Sequence, residues 1–550
     1  MAGSSKPPPN NNFTSLHSTS HFLPLATRNS PMGSNDVTEV DILITGAGLS
    51  GINAAYRVQT ELPHKSFTIL EARDKIGGTW GFWKYPGIRS DSTMRLFGLS
   101  WYPWPSNVVM AEGPVIQKYL EDAAASEGLD KKIRFGHRVT SSSWSSEENR
   151  WTVSADVLED GKIVAQKKFK AAWIMNGTGY YNYGKPLPTV IPGLENFGGR
   201  VVHPQFWGDD GEVNWAGKRV VIIGSGATAV TLLPHIAKTA AHVTMLQRSP
   251  SYVFSLESSD PTHGFWKRFL PARWASTVHW WHRMMVESFF TLLCSNLAIG
   301  RRIVRSAMRA QLPAGFDMDT HFNPTYAPFE QRLCFCPDGD FFKALRNRRT
   351  TVVTGSIDTV TEAGIKLTPS AKFSSSSQAN RFQDAPFIPA DLIITATGLY
   401  VELLSGMSVT VDDEPVDLSN FSSKYTWNGV MMEGMPNTGL ITGYTAGTWT
   451  PGADARTRQM IKVIKHLDKS GAQSATPYLS PEERGRLPKK PAMPNSSTYL
   501  VAARDRMPRS AGVGPWRNPQ TFWEDTWHLY WGNVKNGMKF GYGGGSKKDD

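Results

Sequence analysis

Cysteine is scarce: Cys294, Cys334 and Cys336 are the only three in 550 residues. Cys334 and Cys336 are too close together for metal-finger spacing and do not form a C-x-x-C redox pair. No disulfide framework is implied either, so a reducing compartment is the default. Long apolar runs are also missing, and none reaches the roughly 18 residues that a membrane span needs. Acidic residues fall short of basic ones, 48 against 59, which leaves a net charge of +11. Such an excess can steer anionic partners. No nucleic-acid-binding motif accompanies it, so nucleic acid is set aside as a partner.

A chain this long exceeds a single core, and two or three domains are expected. Residues 1–36 are rich in Ser, Asn and Pro and read as a disordered extension. They carry few acids, as a transit peptide would, but lack a clear amphipathic basic helix. Targeting to an organelle therefore stays open beside a cytoplasmic reading. Residues 541–550, glycines and then Lys-Lys-Asp-Asp, read as a disordered tail.

Between these ends the hydrophobic pattern is α/β. Val40–Thr45 predicts a strand, a glycine turn and helix follow to about Gln59, and Phe67–Leu70 predicts the next strand. The same order returns at Arg219–Ile223, Ala227–Ala237 and His242–Leu246. Two βαβ openings of one kind imply two parallel-stranded, Rossmann-like domains with right-handed crossovers. Lys132–Asp160 reads as antiparallel, with Ile133–Phe135 and Trp151–Val157 flanking a polar stretch, Ser141–Asn149. Ala171–Met175 and Leu392–Thr395 read as buried strands ending in glycine-containing turns, as where a chain passes between domains or approaches a cofactor. Residues 255–320 break this rhythm and are rich in Trp, Phe, Met and Arg. They predict a helical insertion, either packed on the main body or offering a basic, aromatic face to a membrane or an apolar substrate. The expected division is 37–185 plus 390–540 for one domain and 186–389 for the other.

Each βαβ opening carries a glycine fingerprint. In Gly46-Ala-Gly48-Leu-Ser50-Gly51 the first glycine makes the tight turn, the second admits a pyrophosphate, and the third lets helix and strand pack closely. The pyrophosphate then meets free N–H groups at a helix N-terminus. Glu71 ends the second strand, 20 residues after Gly51, where a carboxylate can accept both ribose hydroxyls. The second fingerprint is Gly224-Ser225-Gly226-Ala227-Thr228-Ala229. Its second strand ends in Gln247-Arg248-Ser249, without an acid. An acid would repel a 2′-phosphate, whereas Arg248 can pair with one. The first site thus suits FAD or NAD and the second NADPH. Together they suggest a flavoenzyme reduced by NADPH.

Disulfide reductases share that plan but need a paired redox-cysteine motif, which is lacking here. The alternative oxidant is O2. Phe197-x-Gly199-x-x-x-His203-x-x-x-Trp207 precedes the second fingerprint, and Gly77-Gly78-Thr79-Trp80 precedes Tyr85-Pro86-Gly87-Ile88-Arg89-Ser90-Asp91. These segments, with the block His321 to Asp340, resemble class B flavin-dependent monooxygenases. The terminal Trp207 is the Baeyer–Villiger version of the signature, and the sequence closely resembles the mycobacterial, ethionamide-activating branch. The resemblance runs from about residue 40 to at least 450. Gly208 stands where Pro or Asp often follows the Trp, and Phe329-Glu330 replaces Trp-Asp.

The resemblance implies FAD at the first site, with Gly78, Thr79, Trp80, Asp91 and Val139 added to the fingerprint and Glu71. It implies NADPH at the second, with Arg89, Arg248 and Ser249. Arg332 would be the catalytic residue and Asp91 its orienting or balancing partner. A guanidinium can stabilise a developing oxyanion without becoming a proton source. Chemistry alone makes His203 a satisfied structural histidine, and the resemblance agrees by assigning it to the interdomain linker. The implied activity inserts one atom of O2 into a ketone, apolar if the many aromatic residues are a guide, to give an ester or lactone. Oxygen transfer to nitrogen or sulfur is the neighbouring alternative. A non-catalytic nucleotide-binding protein is the distant one, and the intact motifs argue against it.

Overall fold

The computed structural model describes residues 37–295, 297–331, 333–347, 349–374 and 386–543. The expected disorder of residues 1–36 lies outside them. Two large sheets dominate the described residues, one of nine strands and one of six. Thr38–Thr45 lies in the first, parallel to both Phe67–Leu70 and Lys162–Asn176. Arg219–Ile223 lies in the second, parallel to His242–Gln247 and Leu392–Thr395.

Both parent strands are buried on two faces, which explains their unbroken apolar runs. Ile42 and Ile44 pack into one cluster while Leu43, between them, packs into another. In the second sheet Val220 and Ile222 face one cluster, and Val221 and Ile223 the other. This alternation is the two-residue period of a strand with layers on both sides.

Several expectations need correction. Ile133–Arg134 pairs parallel to Phe67–Leu70, extending the parallel sheet instead of opening an antiparallel one. Most of the polar stretch Ser141–Asn149 is strand, because His137–Ser145 pairs with Arg150–Glu159 and sets Trp144 opposite Trp151, both buried. Cross-strand packing there overrides the weak strand preference of a serine run. The insertion does hold two helices, Ala272–Ser295 and Leu297–Arg309. Yet residues 253–256 at its start form a strand parallel to Cys334–Pro337. Leu392–Thr395 belongs to the second sheet, so the return to the first comes after residue 395 and not at 390. Gly541 closes the strand Met538–Gly541, so the expected disordered tail does not start at 541, and residues 544–550 lie outside the described residues.

The chain crosses between the sheets in two adjacent places. Tyr181–Pro186 leads out and Leu399–Val401 leads back, and the two segments pair antiparallel. The turns just before them, 177–179 and 396–398, lie at the ends of central strands of the two sheets. That is where ligands bind in open α/β sheets.

Candidate functional site

Both fingerprints open onto one cavity of about 1180 Å³. This exceeds the roughly 300–1,000 Å³ of a pocket for one small molecule and leaves room for more than one ligand. The turns 177–179 and 396–398 also line it.

At the first fingerprint Gly46 has φ 94° and its absent Cβ would lie 2.8 Å from the Gly177 carbonyl oxygen. Only glycine combines that backbone with that contact. A Cβ on Gly51 would lie 1.8 Å from the Gly46 oxygen, so Gly51 serves the fold and does not line the cavity. Glu71 is buried and already organised. Its Oε2 accepts the Ala47 N–H at 2.7 Å and its Oε1 the Arg73 N–H at 3.0 Å. Gly46, Gly48, Ser50, Glu71, Gly78, Thr79, Trp80, Asp91 and Val139 all line the cavity. The set fits a dinucleotide: small residues at a helix N-terminus for the pyrophosphate and a fixed carboxylate for a ribose.

At the second fingerprint Gly224, Ser225, Gly226, Ala227 and Thr228 line the cavity, as do Arg248 and Ser249. Ala229, fully buried, takes the packing role of a third glycine. Arg248 is exposed at the cavity wall. The Ser225 hydroxyl donates to the Ser249 carbonyl at 3.1 Å, tying the glycine turn to the strand end. A cationic rim without an acid fits a phosphorylated ribose.

The two halves are fastened through the segment 85–91. Tyr85 is buried, which raises its phenol pKa, and its hydroxyl hydrogen-bonds with Thr228 of the second fingerprint. Arg89 lines the cavity, but its guanidinium is paired with both Asp340 oxygens, at 2.6 and 3.2 Å. Gly87 sits against His235, whose ring atoms would come within 2.2 Å of an added Cβ.

Of the signature, only His203 reaches the cavity. Burial lowers its pKa to about 4, so the ring is neutral at pH 7, and its Nδ1 accepts the Gln205 N–H. Its Nε2 is buried without a hydrogen-bond partner among the described residues, so the ring is only half satisfied. Phe197 packs against the second sheet, Gly199 lies against the Asp391 carbonyl, and Trp207 packs beside Trp215. Arg332 lies outside the described residues; Gln331 before it and Cys334 after it line the cavity. Burial pushes the nearby Cys336 thiol up to about 12, which makes it inert.

One wall was not foreseen from the sequence. Residues 444–449 supply Tyr444, Gly447 and Trp449, and residues 497–499 also contribute. The Trp449 indole N–H donates to Ser50 Oγ at 3.0 Å, and its ring stacks on Tyr180, centroids 5.4 Å apart. Tyr444 is buried near Asp525, whose charge helps to raise its phenol pKa, and Asp525 forms a fully buried ion pair with Arg456. No motif marks these residues, and burial is what gives them their place.

A family profile described as flavin-binding monooxygenase-like matches residues 39–290. The FAD-containing monooxygenase EthA of Mycolicibacterium smegmatis is 39% identical over 487 residues, covering 88% of this chain and 93% of the relative. The putative FAD-containing monooxygenase MymA of Mycobacterium tuberculosis is 38% identical over 485 residues, covering 87% and 92%. Among solved structures, an oxidized steroid monooxygenase bound to NADP is similar, with a TM-score of 0.69 and 20% identity, covering 92% of this chain and 100% of that one. The polycyclic ketone monooxygenase of Thermothelomyces thermophila aligns with a TM-score of 0.68 and 19% identity, covering 94% and 91%.

Proposed function

The chain belongs to the class B, flavin-binding monooxygenase family, and from that premise we propose that it inserts one oxygen atom from O2 into apolar ketones. It is an FAD-containing, NADPH-dependent monooxygenase. Baeyer–Villiger oxidation, giving esters or lactones, is the reading of its chemistry that its residues support best. The observation that carries it is that Gln331 and Cys334, either side of Arg332, line the same cavity as the two fingerprints and Asp91.

Bound FAD, once reduced by NADPH, supplies the activated oxygen. The rest falls to the protein. Gly46, Gly48 and Ser50 cradle one pyrophosphate and Glu71 fixes its ribose. Gly224 to Thr228 cradle the other, and Arg248 with Ser249 receives the 2′-phosphate. Trp80, Tyr180 and Trp449 wall off water. Arg332 supplies a permanent positive charge for the anion that develops on the carbonyl oxygen, and Asp91 orients or balances it. Neutral His203 adds no proton.

The test is Arg332→Ala. It is expected to bind FAD like the parent enzyme and to lose ester formation by on the order of 10²–10³-fold. Product analysis with a ketone and a thioether in parallel distinguishes the chemistries. Ester formation at the parental rate in the variant overturns the role of Arg332. Sulfoxide as the sole product of the parent enzyme moves the reading to nitrogen and sulfur oxygenation.

A further inference from the structure

The helix Ala272–Ser295 presents an apolar stripe outward. Trp274, Trp281, Met285, Phe289 and Leu292 recur at helical spacing and are all exposed, Phe289 by 62% and Leu292 by 69%. From Trp274 to Leu292 the stripe is about 27 Å long. A second helix, Phe522–Trp531, repeats the feature with Trp523, Trp527, Tyr530 and Trp531. The two stripes are joined: Trp281 lies 6.0 Å from Trp523 and 5.6 Å from Phe522 between centroids. The Trp523 indole also donates to Ser288 at 2.9 Å.

We infer that this joined aromatic face docks on the surface of an anionic lipid bilayer. Exposed apolar patches of such extent mark interaction sites. Trp and Tyr are the residues that settle at the headgroup level of a membrane. Charge selects the occupant. Residues 261–316 contain eight Lys and Arg but a single acid, Glu287. Glu287 is turned inward, bonded to the Thr448 hydroxyl. Lys267, Arg268, Arg273, Arg302 and Arg309 are exposed in this region. A second copy of the same face would meet like charge, whereas anionic headgroups complement it. None of the described helices is long and apolar enough to cross a membrane, so the face lies on the bilayer.

The same helices hold one wall of the cavity. Glu287 accepts from the Thr448 hydroxyl, and Gln520, just before the second helix, accepts from the Thr445 hydroxyl at 2.8 Å. Docking therefore sets the bilayer against the helices that brace the segment carrying Tyr444 and Trp449.

The experiment is vesicle flotation of the purified holoenzyme, with phosphatidylcholine vesicles compared with mixed phosphatidylcholine–phosphatidylglycerol vesicles. The parent protein is expected to float with the mixed vesicles and to be released in part by high salt. A variant combining Trp274→Gln, Phe289→Gln, Leu292→Gln and Trp527→Gln is expected to lose at least about tenfold in partitioning while keeping its flavin spectrum. A second variant, Lys267→Glu with Arg268→Glu and Arg273→Glu, should lose only the preference for anionic vesicles. Failure of the parent protein to float with either vesicle overturns the inference. So does sedimentation showing a dimer that the Gln substitutions dissociate without any change in lipid binding. Lipid binding is read independently of turnover, so inactivity toward ketones leaves this result standing.

Discussion

The two fingerprints differ in how much of each nucleotide site is built before a ligand arrives. At the first, the Glu71 carboxylate is buried and held by two backbone N–H groups, and a Cβ on Gly48 would come within 3.3 Å of Gly78. At the second, Arg248 is exposed and a Cβ on Gly226 would meet nothing within 4 Å. A closely packed, preorganised site suits a ligand that stays, because little ordering remains to be done on binding. An open site with an exposed cation at its rim suits a ligand that exchanges every turnover. On the proposed assignment, the contrast separates a resident nucleotide from an exchanging one without invoking any difference in fold.

The largest break in that contrast should come from Gly51→Ala. The new Cβ meets backbone at 1.8 Å, where no side chain can move aside. A cost of about 3 kcal/mol or more is expected, with loss of flavin from the soluble protein. A yellow variant with the parental melting temperature would show that the first site is not tightly built. Glu71→Ala comes next. It leaves the Ala47 and Arg73 N–H groups without their acceptor, at about 1–3 kcal/mol each if water does not replace it. Flavin retention after dialysis should fall while NADPH affinity, measured in the remaining holoenzyme, holds. Equal loss at both sites would mean that the two are not independent.

The fingerprints and their strands were legible because the physics is local: an apolar run, a turn that only glycine allows, and a charge at a fixed distance. Phe67–Leu70 was placed to the residue. What the sequence hid was set by partners far along the chain. The Ser141–Asn149 stretch reads only as a polar interval between two apolar segments, but pairing with Arg150–Glu159 makes most of it strand. Leu392–Thr395 looked like a buried strand, yet its sheet depends on Arg219–Ile223, some 170 residues earlier. In the site, Glu71 and Arg248 announced themselves by position in a motif. Tyr444 and Trp449 did not, since their placement rests on Asp525 and Ser50. Arg89 shows the reverse: the motif marks it, but only the folded structure reveals that Asp340 already holds it.

Arg248→Ala sharpens the comparison at the second site. Removing one charge-assisted contact to a phosphate costs about 1.5–3 kcal/mol, so KM for NADPH should rise roughly 10–100-fold. KM for NADH should barely change, since NADH has no 2′-phosphate, and flavin content should not change either. A parallel rise for both nucleotides would assign Arg248 to general packing.

The smallest effect on stability is expected from Gly226→Ala, and it is the most discriminating. Nothing stands within 4 Å of the new methyl, and Gly226 has φ −80°, which any residue accepts. The melting temperature should stay within what about 0.5 kcal/mol allows. If the second glycine of a fingerprint exists so that a pyrophosphate can approach the backbone, the methyl occupies ligand space and not protein space. KM for NADPH and for NADH should then rise together, unlike the split expected for Arg248→Ala. A variant that melts early would mean that this glycine serves the fold, as Gly51 does, and the distinction between a built site and an open one would fail at its clearest point.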